Sequence, residues 1–262
     1  MTALLTTRTA GPKDAPAVVL LHAIATSSEL WEPQIAVLAE RFHVVAVDLP
    51  GHGESLLPLA PSLDGYAQSV LATLDALNVG QAALVGLSFG SAISQRLAVQ
   101  APDRVRAVVL AAGAAYSPPP AQKMWRGRAD SALASGLDDQ VESILDRWFT
   151  PEFRALTPQA VERIRRLVLS TSTAGYVATA KIISTLDNRS LLARIACPAL
   201  VLAGDHDKAV PLEALQHIAE TIPQSRFVSV PAAHLLNIEA ADAFTELVGG
   251  FLAETHKSSS HV

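Results

Sequence analysis

Short apolar runs and longer segments of helical period alternate along the chain. Val18-Val19-Leu20-Leu21, Val44-Val45-Ala46-Val47, Ala83-Leu84-Val85, Val105 to Leu110, Leu200-Val201-Leu202 and Arg226-Phe227-Val228 read as strands. Near-continuous apolar runs of this length suit strands covered on both faces. Between them, Leu30 to Glu40, Leu63 to Leu77, Ala92 to Gln100, Leu212 to Thr221 and Ala240 to Leu252 carry helical period. Strand–helix alternation predicts an α/β fold with a mostly parallel, doubly wound sheet. The rhythm breaks between Tyr116 and Arg194, which opens on Ser117-Pro118-Pro119-Pro120 and holds helical patterns without a convincing strand. We read 116–194 as a helical cap inserted into a core formed by 1–115 and 195–262. The polar end, Thr255 to Val262, is expected to fray.

Composition narrows the class. With 262 residues, half of them apolar, the chain can bury a large core as one unit. A net charge of −5 leaves no basic footprint for nucleic acid or an anionic membrane. Met1 to Pro16 lacks a signal-peptide core, and no apolar run approaches a bilayer span. One cysteine, Cys197, excludes an internal disulfide. Beside Pro198 at the mouth of an apolar run, it reads as structural. A cytoplasmic protein is expected.

Gly86-Leu87-Ser88-Phe89-Gly90 fits G-x-S-x-G. Such a match is weak alone, but here a strand precedes it and a helix follows, so Ser88 falls on the strand-to-helix turn. There a small residue on each side relieves the strain while the hydroxyl projects above the sheet. A serine hydroxyl needs a base within hydrogen-bond reach, and on such sheets the partners follow in the order acid, then histidine. Strand Ala199 to Ala203 leads into Gly204-Asp205-His206-Asp207, and Arg226 to Val230 into Pro231-Ala232-Ala233-His234. Both groups lie at the C-terminal edge of the sheet, where parallel sheets bind ligands. His234 is taken as base. Asp207, a few positions past its strand, is taken as the acid, and Asp205 as a brace of that loop. No further ligand cluster accompanies Asp205-His206-Asp207, so no metal and no cofactor is implied. The oxyanion hole needs two backbone N–H groups, assigned to Phe89 and Ile24. His52, in the turn Gly51 to Ser55, and His43, His217, His256 and His261 read as structural.

With these residues the chain resembles the 3-oxoadipate enol-lactonases and their close α/β-hydrolase relatives, from about Val18 to Leu252. The resemblance rests on Leu30-Trp31-Glu32-Pro33-Gln34, Asp48 to Ser55, the Ser88 turn, Arg147-Trp148-Phe149-Thr150-Pro151, Gly175-Tyr176, Gly204 to Asp207 and His234 to Glu239. It implies an α/β-hydrolase fold, the triad Ser88–Asp207–His234, oxyanion amides on Ile24 and Phe89, and aromatic cap residues Trp125 and Trp148 over the pocket. The chain departs from the pattern at Ser91 and Ala23, where glycine is usual, and at Lys181 and Ser184. The N-terminus has room for one strand before Val18 rather than two.

The expected activity is hydrolysis of a small-molecule ester or lactone through an acyl-enzyme. Carbon–carbon bond hydrolysis and thioester or acyl transfer share the fold, and a ligand receptor on a retired hydrolase scaffold is the rival of another class. Assembly as a homodimer is compatible with this reading. The cap carries eleven Lys and Arg against eight Asp and Glu, a net of +3, while the remainder carries −8. A positive lid suits a carboxylate-bearing substrate, with Arg128, near Trp125, as the candidate counter-ion. The alternative for Arg163, Arg165 and Arg166 is a solvated helix face paired with acids.

Overall fold

The computed structural model describes residues 4–259. Seven strands and twelve α-helices follow one another as β1 (Thr7–Ala10), β2 (Ala17–Leu21), α1 (Glu32–Leu38), β3 (His43–Val47), α2 (Leu63–Ala76), β4 (Ala82–Leu87), α3 (Phe89–Gln100) and β5 (Val105–Ala111). Next come α4 (Pro119–Ser135), α5 (Val141–Trp148), α6 (Pro151–Leu156), α7 (Pro158–Ser170), α8 (Thr173–Ser184) and α9 (Arg189–Leu192). The chain closes with β6 (Ala199–Gly204), α10 (Leu212–Thr221), β7 (Ser225–Val230), α11 (Leu236–Glu239) and α12 (Ala241–Ser259).

The strands form one sheet in the order β1-β3-β2-β4-β5-β6-β7. All pairs are parallel except β1 with β3. Every residue of β2, β3 and β4 is buried, which explains their runs of Val, Leu and Ala, broken only by His43 and Gly86. From β2 the chain steps one way to β3, then returns to place β4 on the other side of β2. The sheet therefore reverses direction between β2 and β4, and the loops leaving those strands part to open a crevice at the C-terminal edge.

Between β5 and β6 the chain is helical throughout. Prolines start α4, α6 and α7, where the missing N–H costs nothing. α5 buries Val141, Ile144, Leu145 and Trp148, and α7 buries Val161, Ile164, Leu167 and Val168, the spacing of a single apolar stripe. α4 packs on α8, and α5 on α7. The two ends of this segment are joined: Tyr116 bridges Asp187, the Asn188 amide donates to the Ala115 carbonyl at 2.7 Å, and the Ser117 amide to Leu186 at 3.0 Å.

The one N-terminal strand that fits before Val18 is β1, antiparallel at the sheet edge. Two boundaries differ from expectation. α3 starts at Phe89 rather than Ala92, directly off the Ser88 turn. The polar tail does not fray from Thr255: α12 continues to Ser259, with Thr255 buried and its hydroxyl donating to the Phe251 and Leu252 carbonyls at 3.1 Å. His261 and the rest of the tail, 260–262, lie outside the described residues. Among those described, no helix is long and apolar enough to cross a membrane.

Candidate active site

Four loops converge at the C-terminal edge of the sheet, leaving β2, β4, β6 and β7. Ser88 occupies the turn after β4 at φ 55° and ψ −112°, a left-handed conformation rare for a residue with a side chain. Its amide donates to the Ala111 carbonyl at 2.8 Å, which fixes the turn against β5. The flanking glycines are steric necessities: a Cβ on Gly86 would collide with the Gly90 backbone, and one on Gly90 with the Leu21 carbonyl. G-x-S-x-G therefore reflects the contact of this turn with itself and with β2. Phe89, first residue of α3, carries an amide that precedes the helical ladder, at the positive end of the helix dipole. Across the crevice lies Ile24, buried in the loop after β2, where Ala25 turns the chain at φ 57°.

The loops after β6 and β7 bring Asp207 and His234 to the serine. His234 Nε2 lies 2.9 Å from Ser88 Oγ, and His234 Nδ1 lies 2.8 Å from Asp207 Oδ2. The side chains of His234 and Asp207 are 4% and 1% exposed, so this pair is shielded from competing water. The second Asp207 oxygen accepts the amides of Ala209 at 2.6 Å and Val210 at 3.1 Å, which orient the carboxylate and stabilise its charge. Asp205 is exposed on the same loop, and the brace it supplies is its amide, which donates to the Val230 carbonyl at 2.9 Å.

Trp148 is buried and stacks on His234, with ring centroids 6.4 Å apart and planes at 28°. Arg128 places its guanidinium 5.5 Å from the ring centre of Trp125, close enough to Tyr176 for the two to act on one another's charge, while the Tyr176 hydroxyl donates to Gln140 Oε1 at 3.5 Å. Beside it stands Arg147, which the sequence analysis passed over except as a neighbour of Trp148. Burial, and then the charge of Arg128, push the Arg147 guanidinium down to about 10. Asp207 is close enough to act on it in the opposite sense. Arg147 Nη1 meets the Met124 sulfur at 3.2 Å, and its Nε is buried without a partner. Among the described residues neither arginine is in a salt bridge, whereas Arg163 pairs with Glu32, and Arg165 with Glu162 and Glu142. The structure thus separates solvated arginines from two cations held in protein without a counter-ion. One signal for Arg147 was available: it lies three residues after Ile144 and next to Trp148, at the margin of the buried stripe of α5.

The remaining candidates sit elsewhere. Burial pushes the Cys197 thiol up to about 11, the wrong direction for a nucleophile. Among the described residues no cluster of three or more His, Cys, Asp or Glu is placed to hold a metal ion. His22, at the start of the loop after β2, and His52, in the Asp48 to Ser55 turn, are fully buried with rings 5.3 Å apart.

Residues 16–241 match the family model of the alpha/beta hydrolase fold. The chain belongs to the alpha/beta hydrolase fold family. This α/β hydrolase is 32% identical to 3-oxoadipate enol-lactonase 2 of Acinetobacter baylyi over 241 residues, 92% of its own chain and 90% of that protein. It superposes on the crystal structure of the enol-lactonase from Burkholderia xenovorans LB400 with a TM-score of 0.92 and 33% identity, covering 95% and 96% of the two chains. A thermophilic esterase from Thermogutta terrifontis, determined with malate bound, matches with a TM-score of 0.91 and 28% identity over 96% and 94%.

Proposed function

We propose that this α/β hydrolase cleaves a carboxylic ester or lactone that itself bears a carboxylate, through an acyl-enzyme on Ser88. The observation that carries the reading is the unbroken chain from Ser88 Oγ to His234 Nε2 and from His234 Nδ1 to Asp207. Ser88 Oγ attacks the carbonyl carbon while His234 Nε2 takes its proton. The oxygen that becomes anionic lies between the amides of Ile24 and Phe89. His234 returns the proton to the leaving oxygen as the ester bond breaks. In a lactone that oxygen stays tethered to the acyl group. Water, deprotonated by His234, then attacks the acyl-enzyme and releases the acid. Asp207, oriented by the Ala209 and Val210 amides, holds the His234 ring and stabilises the imidazolium.

The substrate carboxylate is assigned to Arg128 and Arg147, which stand beside Tyr176. Two half-buried guanidiniums that repel one another, neither in a salt bridge among the described residues, are stabilised by an incoming anion. Trp125 and Trp148 form the apolar walls. Enol-lactonase relatives and an esterase neighbour holding malate support this substrate class.

The test is Ser88→Ala with a fluorophosphonate probe. Wild type labels and hydrolyses an enol-lactone or aryl ester; the variant stays folded, does not label, and loses several orders of magnitude in kcat. Near-wild-type turnover by the variant refutes the mechanism.

A further inference from the structure

The loop that carries His234 is held from two sides. On one, the His206 amide donates to the Ala232 carbonyl at 3.0 Å, tying the acid loop to the histidine loop. On the other stands Glu239, at the end of α11, whose half-buried carboxylate turns back toward the residue before the histidine. Its Oε2 accepts the Ala233 amide at 3.0 Å. The same carboxylate accepts the Thr150 amide, with both oxygens at 3.3 Å, and takes the Thr150 hydroxyl in a short hydrogen bond. Thr150 joins α5 to α6 and caps α6, its Oγ1 accepting the Phe153 amide at 3.2 Å. On the far side of the histidine, the Leu235 amide donates to the Trp148 carbonyl at 3.1 Å. Both neighbours of His234 in the chain are therefore tied to residues 148–150: Leu235 directly, Ala233 through Glu239.

We infer that Glu239 is a positioning residue for the general base, clamping the Thr150 turn of the helical segment to the histidine loop. This rests on the reading of His234 as base. The chemistry of the contact explains the residue type. Glu239 faces two N–H groups and one O–H, all donors, and a carboxylate is the side chain that accepts from all three. Glutamine keeps the shape but turns an NH2 toward a donor. Alanine removes both links and frees Ala233 and Thr150 to move separately, with Ala233 adjacent to a histidine whose Nε2 must stay within hydrogen-bond reach of Ser88. Displacement of a catalytic group by about 1 Å costs about a hundredfold in rate.

The experiment compares Glu239→Ala, Glu239→Gln, Thr150→Val and the Glu239→Ala/Thr150→Val double variant, each checked for folding by near-ultraviolet circular dichroism. On a neutral aryl ester, Glu239→Ala is expected to lower kcat about a hundredfold, with KM changed by much less. Glu239→Gln should recover part of that loss, and the double variant should be no slower than Glu239→Ala, because both changes cut one link. A folded Glu239→Ala enzyme with kcat within about threefold of wild type overturns the inference, as does a loss confined to KM. Additive losses in the double variant overturn the clamp through Thr150. If Glu239→Ala does not fold, Glu239→Gln and Thr150→Val decide: each should lower kcat about tenfold, and unchanged kcat in both overturns it. Ser88→Ala in the same assay separates the readings, since an active Ser88→Ala enzyme refutes the hydrolase mechanism itself, while an inactive one beside unimpaired Glu239 variants refutes the clamp alone.

Discussion

Lowering the pH to 5 should destabilise this enzyme by about 4 kcal/mol, because of two buried histidines, His22 and His52, that lie outside the Ser88–His234–Asp207 chain. His22 Nε2 accepts the Leu49 amide at 2.8 Å and Nδ1 donates to the Ala23 carbonyl at 2.7 Å, an arrangement open to the neutral ring alone. His52, 5.3 Å away, has its Nδ1 at 3.2 Å from the Pro50 carbonyl and its Nε2 buried without a partner. Burial lowers His22 from 6.5 to about 4, against the pull of the Ala23 carbonyl and Asp48. Burial, and then the charge of its neighbour His22, lower His52 to about 3. In the unfolded chain both take up protons near their ordinary pKa, so the unfolded state binds more protons and stability falls as the pH falls. The window opens at about 6.5 and runs down to about 4 for His22 and about 3 for His52.

Each histidine therefore costs about 1.4 kcal/mol per pH unit inside that window, or about 2 kcal/mol at pH 5. Together they remove about 4 kcal/mol, a large share of the 5–15 kcal/mol typical of a domain. Urea midpoints followed by tryptophan fluorescence should hold level from pH 7.5 to about 6.5 and then fall steadily down to pH 5, at constant m-value. His52→Asn, which removes one of the two titrating rings, should fall about half as steeply over the same range. A midpoint that stays flat in wild type, or a variant as steep as wild type, would refute the reasoning. The consequence for kinetics is that acid inactivation should include a slow phase that tracks unfolding.

Asp207→Asn should cost about 10^3-fold or more in kcat and Asp205→Asn only a few-fold, measured on equally folded proteins, because Asp207 alone reaches His234. Replacing Arg128 or Arg147 by Met should raise KM for a carboxylate-bearing lactone by about 10- to 100-fold and leave a matched neutral ester unaffected. The preference for the anion should weaken as salt is raised. Equal efficiency of wild type on both substrates at low ionic strength would remove the anionic-substrate reading and leave a general esterase.

What the sequence makes legible follows from range. The interior strands are apolar on both faces, so Val18 to Leu21 or Val44 to Val47 announces itself without knowledge of its neighbours. β1 does not: at the sheet edge, Thr7–Ala10 has half-exposed and exposed positions, and its polar residues look like loop. The helical period is visible only from Ala92, while α3 starts at Phe89; Gly90 lies inside it because a Cβ there would collide with the Leu21 carbonyl. Ser88, Asp207 and His234 were located because each follows a strand end, and strand ends share one edge in a parallel sheet. Arg147, Tyr176 and Glu239 were not, because their roles depend on what lies opposite. Glu239 and Thr150 are 89 residues apart, and an arginine without an acid partner looks in sequence like any other arginine.

The bridge between Tyr116 and Asp187 has a consequence for how such proteins diversify. β5 and β6 are adjacent in the sheet, yet the chain between them makes a long excursion whose mouth is already sewn shut at Ala115–Ser117 and Leu186–Asn188. Insertions and deletions inside 118–185 then alter a loop with fixed ends, and each doubling of a flexible loop costs only about 0.6 kcal/mol in closure entropy. The helices between these ends can be exchanged while the strands that lead to Ser88, Asp207 and His234 keep their register. The exchange is not wholly free: a replacement must still offer a Thr150-like pair of donors to Glu239, or the new specificity arrives with a misplaced base.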